Sequence, residues 1–147
     1  RPMSPAKAQA IIGAVAAWAR GRDDVRAVAL VGSWARGKPQ PASDIDLVLL
    51  SDRAGEYRRR RKWLSEIDFR GAGYAITSSR DVTYGAVWSR HVSLLPVAEV
   101  ELTFARCAWA RTDPIEEATR TVAKDALRII LDKDRTLAKL VRAVTPM

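Results

Sequence analysis

Two apolar runs near the N-terminal third of the chain, Val25–Val31 (VRAVALV) and residues 45–50 (IDLVLL), are separated by only thirteen residues, and Pro39 and Pro41 fall among them. Both runs have the β-branched and apolar composition of strands, and the second is apolar enough to lie inside a sheet. A parallel crossover normally takes a dozen or more residues built around a full helix. Two prolines in residues 38–42 leave room for no more than a helical turn at residues 34–36. The two strands are therefore expected to run antiparallel, so that Gly32 and Ser33, at the end of the first, face Asp44 and Asp46, at the start of the second. Every fold open to this chain must satisfy that constraint.

The remaining elements follow from periodicity and punctuation. Ser4 as N-cap and Pro5 in the first turn open a helix over residues 5–20, whose apolar positions Ile11, Ile12, Val15, Trp18 and Ala19 share a face. Residues 55–67 read as one charged helix, residues 74–76 as a short strand, and residues 83–94 and 97–104 as two strands joined at Leu95-Pro96. Asp113 is expected to cap a helix with Pro114 at its first position, continuing through residues 119–131, and residues 136–144 form a last helix. No repeat or low-complexity linker interrupts the 147 residues. The expectation is a single α/β (α+β) domain over 1–147, a mixed β-sheet flanked by helices.

Composition narrows the function classes. Twenty-five basic against 17 acidic residues give a net charge of +8, which favours anionic partners such as nucleotides or nucleic acid. The basic run at residues 58–62 (RRRRK) reads as a solvated helix face, with phosphate contact as the sharper alternative. No apolar run approaches a membrane span and no signal-peptide layout is present, so a cytoplasmic location without membrane contact is expected. Cys107 stands alone, which excludes an internal disulfide and argues against a cysteine metal site. The single histidine, His91, reads as a hydrogen-bonded structural residue, and Trp34, just after Gly32 and Ser33, is placed to border a ligand.

Chemistry concentrates around the two aspartates. Alternation along a strand points Asp44 and Asp46 the same way, about 7 Å apart, and like charges on one face call for a cation. Hard divalent ions take one or two carboxylates together with substrate phosphates. Gly32 permits a tight turn and close backbone approach, while Ser33 adds a hydroxyl beside it. Together these residues could hold a triphosphate tail at one end and its metal at the other.

The pattern Gly32-Ser33, ten residues, then Asp44-Ile45-Asp46 resembles the signature of the nucleotidyltransferase superfamily related to DNA polymerase β. The fuller string GSWARGKPQPASDIDL is similar to the minimal bacterial nucleotidyltransferases, including Arg36 and Ser43. The resemblance implies binding of ATP or another NTP with Mg²⁺ or Mn²⁺, and transfer of an NMP to a hydroxyl acceptor with release of pyrophosphate. It implies Gly32, Ser33, Arg36 and Ser43 as nucleotide-binding residues, Asp44 and Asp46 as metal ligands, and a third carboxylate on a later strand. Glu101 is the candidate for that third acid, as ligand or general base, with Glu99 next to it. In the two-metal scheme of such enzymes, paired ions stabilise the entering and leaving oxygens. The acceptor could be a small molecule, a protein or RNA, and a homodimer is open. Two other readings remain: an antitoxin-like module paired with a helical toxin, and a nucleic-acid-binding protein that has lost catalysis.

Overall fold

The computed structural model describes residues 3–40 and 44–146. A six-stranded sheet forms the centre, in the order β3-β4-β5-β2-β1-β6. Its strands are β1 (Val25–Val31), β2 (Ile45–Ser51), β3 (Ala75–Tyr84), β4 (Val87–Leu95), β5 (Ala98–Ala105) and β6 (Leu127–Asp132). β1 and β2 pair antiparallel, with Val31 opposite Asp46, as the short proline-containing connection requires. Among the described residues the only parallel pair is β2 with β5, which sets Asp46 beside Glu101. The helices are α1 (Pro5–Arg20), α2 (Gly32–Arg36), α3 (Ala54–Arg59), α4 (Lys62–Glu66), α5 (Glu117–Asp125) and α6 (Thr136–Val144).

Each face of the sheet has its own core. On one, α1, α3 and α4 bury Ile11, Val15, Tyr57 and Trp63 against Ile45, Leu47, Leu49, Leu102 and Phe104. On the other, Leu137 and Leu140 of α6 pack on Ala27, Ala29, Val48 and Leu50. Because side chains alternate along β2 and β5, Asp46 and Glu101 project on the α6 side of the sheet, opposite Leu47 and Leu102. α1 begins as expected, with the Lys7 amide donating to Ser4 Oγ at 3.2 Å.

Four local expectations are corrected. The helix expected over residues 55–67 is broken into α3 and α4, because the Trp63 indole N–H donates to the Tyr57 carbonyl at 2.8 Å and so occupies the acceptor a continuing helix would use. The short strand at residues 74–76 is the start of a ten-residue edge strand, β3, joined to β4 by a hairpin at Gly85 and Ala86, so residues 83 and 84 belong to β3. Its polar run TSSRD imitates a loop because an edge strand can leave such residues in water. Asp113 does not cap a helix: α5 starts at Glu117 with Glu116 as its N-cap. The helix expected through residue 131 stops at Asp125, and residues 127–132 form β6 on β1, with a register shift between Val28 and Ala29, since the β-branched and apolar LRIIL run suits an edge strand there.

The basic run at residues 58–62 is solvent-exposed at the junction of α3 and α4. These helices cover the sheet face opposite Asp46 and Glu101. The run is thus exposed on helices that lie across the sheet from the acidic residues.

Candidate active site

The end of β1 turns directly into α2. Gly32 makes that turn with φ +73°, in the left-handed region that glycine alone enters without cost. The turn brings the chain against β2 so closely that a Cβ at position 32 would collide with Asp46 Oδ2. Gly32 is therefore required both by its backbone angle and by the carboxylate beside it. Ser33 follows in the first turn of α2, and its carbonyl accepts from Lys38 N–H at 3.1 Å.

Strand register then assembles the acidic residues. Asp46 lies opposite Glu101, Glu101 opposite His91, and His91 opposite Arg80, so one transverse row crosses β2, β5, β4 and β3 on a single face. Asp44, just before β2, reaches the same row: its Oδ2 lies 4.0 Å from His91 Nδ1. Glu101 Oε2 lies 3.7 Å from His91 Nε2. One potential ligand atom from each of Asp44, His91 and Glu101 falls within 4.8 Å of the others. Below this row, Thr103 Oγ1 and Ser89 Oγ share a 2.6 Å hydrogen bond that supports the Glu101 side of the site.

The electrostatics record a shortage of positive charge. Burial, reinforced by the charges of Glu101 and Asp44, pushes the Asp46 carboxyl up to about 7. Asp44 is also raised, first by burial and then by Glu99 and Glu101, with His91 and Arg80 opposing. Partly buried carboxylates crowded in this way favour either protonation or a bound cation. The donor set fits a divalent metal: carboxylate oxygens at the mouth of a strand, and a buried imidazole nitrogen, His91 Nε2, without a hydrogen-bond partner.

The other candidates are placed as follows. Glu99 is exposed and its carboxylate accepts from Ser93 Oγ at 2.9 Å, leaving Glu101 as the acid that meets Asp44 and His91. The Arg36 guanidinium is ion-paired with Asp125 of α5 at 2.5 Å, while its charge still opposes the upward shift of Asp46. Ser43 lies outside the described residues. Trp34 packs against the larger core. His91, expected to be a hydrogen-bonded structural residue, stands between two acids with Nε2 unbonded; its alternation in phase with Ser89 and Ser93 was visible in the sequence, and the register to β5 sets it beside Glu101.

Residues 17–77 match the model of the nucleotidyltransferase domain. The matched segment runs through β1, α2 and β2 and so contains Gly32, Ser33, Asp44 and Asp46, whereas His91 and Glu101 lie beyond it. No curated protein matches the chain in sequence.

Proposed function

We propose, from the match of residues 17–77 to the nucleotidyltransferase domain, that this protein is a divalent-metal-dependent transferase that moves an NMP from an NTP, ATP in the first instance, to a hydroxyl acceptor and releases pyrophosphate. The observation that carries this reading is the apposition of the Gly32 turn to Asp46, with Glu101 on the neighbouring strand. A turn without a side chain next to clustered acids suits a phosphate chain that arrives with its own metal.

The roles follow from placement. Gly32 and Ser33 receive the triphosphate tail, where the missing Cβ leaves the backbone open to close approach. Asp44, Asp46 and Glu101 hold the metal and orient the acceptor hydroxyl for in-line attack. A divalent ion bound there supplies Lewis-acid stabilisation of charge on the phosphoryl oxygens. Glu101, between Asp46 and His91 in the row, would accept the acceptor's proton. Because such chemistry depends mainly on positioning and electrostatics, removing a carboxylate should abolish turnover without unfolding the chain.

The test is incubation with α-labelled NTPs and a panel of hydroxylated small molecules, proteins and RNA ends, with and without EDTA. Label transfer that needs the divalent ion and is lost in Asp46→Asn supports the reading. Nucleotide binding indifferent to EDTA and to Asp46→Asn overturns it.

A further inference from the structure

We propose that His91 is a nitrogen ligand of the metal centre, which makes the site a mixed oxygen and nitrogen centre that takes Mn²⁺ or a later first-row ion in preference to Mg²⁺. This rests on the metal-dependent reading above and deepens it.

Three observations carry the assignment. First, His91 occupies the row of Asp46 and Glu101 by strand register, and a ligand atom from it converges with one from Asp44 and one from Glu101. Second, His91 Nε2 is shielded from solvent and has no hydrogen-bond partner, a costly arrangement for a ring nitrogen unless something else satisfies it. Third, the 3.7 Å between Nε2 and Glu101 Oε2 is too long for a hydrogen bond, as is the 4.0 Å between the other ring nitrogen, Nδ1, and Asp44 Oδ2. The Nε2–Glu101 separation falls within the span of two metal–ligand bonds of about 2.1 Å each.

Selectivity follows from ligand type. Mg²⁺ binds oxygen almost exclusively and gains little from imidazole, whereas first-row transition ions accept it readily, with affinity rising from Mn²⁺ towards Co²⁺ and beyond. His91 is the chain's only histidine. An imidazole nitrogen coupled to a bound ion would therefore come from this residue.

The experiment is pulsed EPR on the tag-free protein loaded with Mn²⁺, with and without ATP, using histidine at natural abundance and labelled with ¹⁵N. Alongside it, Mg²⁺ and Co²⁺ compete with Mn²⁺ in the wild type and in His91→Gln. The expected result is a coordinated-nitrogen coupling that changes with the ¹⁵N label. In His91→Gln, Mn²⁺ affinity should fall about tenfold or more, with a much smaller change for Mg²⁺. Bound Mn²⁺ without nitrogen coupling would overturn the assignment and leave His91 as a counter-charge, while the carboxylate metal site would stand. A nitrogen coupling with the Mn²⁺ to Mg²⁺ preference unchanged in His91→Gln would overturn the selectivity. No Mn²⁺ binding in the wild type, with or without ATP, would overturn the metal-dependent reading itself. The spectrum of the labelled wild type decides the ligand without relying on the variant's folding.

Discussion

The carboxylate of Asp46 occupies the position that a side chain on Gly32 would need. The end of β1 and the start of β2 are thus fitted to each other at one atom's tolerance, and Gly32 is also held at φ +73°.

Gly32→Ala should therefore fail on two counts. The left-handed backbone angle costs about 1–3 kcal/mol for a residue with a Cβ, and the new methyl group displaces Asp46. Urea unfolding should show the loss of stability, and labelled-NTP assays should show a larger loss of transfer than that destabilisation explains. A variant as active as the wild type would contradict the fit between the two residues.

Asp46→Asn should separate stability from activity. In chelator-treated protein the Asp46 carboxyl is raised to about 7 by burial and by its acidic neighbours. The folded state therefore holds the proton more tightly than the unfolded state, and stability falls as pH rises from about 4 to about 7. Asparagine carries no such penalty. With allowance for partial solvent screening, Asp46→Asn should be more stable than the wild type by about 1–2 kcal/mol at pH 8, and this gain should shrink towards pH 4. Thermal melts in EDTA across that range provide the check, while transfer activity should be abolished.

Glu101→Gln and Glu99→Gln should behave differently although the two acids lie two residues apart. Glu101 faces Asp46 and His91, and its loss should lower turnover by about 10²–10⁴. Glu99 is exposed and bonded to Ser93, so Glu99→Gln should keep most of the rate. Single-turnover assays at saturating NTP distinguish them.

On the opposite face of the sheet from the acidic row, Arg90 is fully buried, forked onto Asp81 at 2.8 and 3.0 Å and held near the rings of Trp63 and Trp88. Asp81→Ala leaves that guanidinium unpaired and should cost about 3–5 kcal/mol in urea unfolding at neutral pH. The Arg90 hydrogen bonds hold the Asp81 carboxyl below its ordinary value. The contribution is therefore fully present above pH about 4 and is lost as pH falls through the lowered folded value. The deficit of Asp81→Ala relative to the wild type should narrow in strong acid.

What the sequence made legible was local chemistry. Gly32, Ser33, Asp44 and Asp46 lie within one short segment, and two prolines in the connection forced the strands to meet at one end. The opening Ser4-Pro5 and the final helix were likewise readable, because capping and helical spacing act over a few residues. What escaped depended on partners distant in sequence. The LRIIL run has both helical and strand character until β1 offers it an edge. The break between α3 and α4 needs an indole that reaches back to Tyr57. No acid is close to His91 in sequence, and only the β4 to β5 register brings it beside Glu101.

The parallel pairing of β2 with β5 has a bearing on how the chain comes to work. Glu101 reaches Asp46 only after the long excursion through α3, α4, β3 and β4 has been folded back alongside β2. A nascent chain that has emerged only through the first two strands possesses the glycine turn and both aspartates, yet it has neither the third acid nor the imidazole. The complete row of acids and imidazole is thus a late product of folding, present only once β5 has taken its place beside β2.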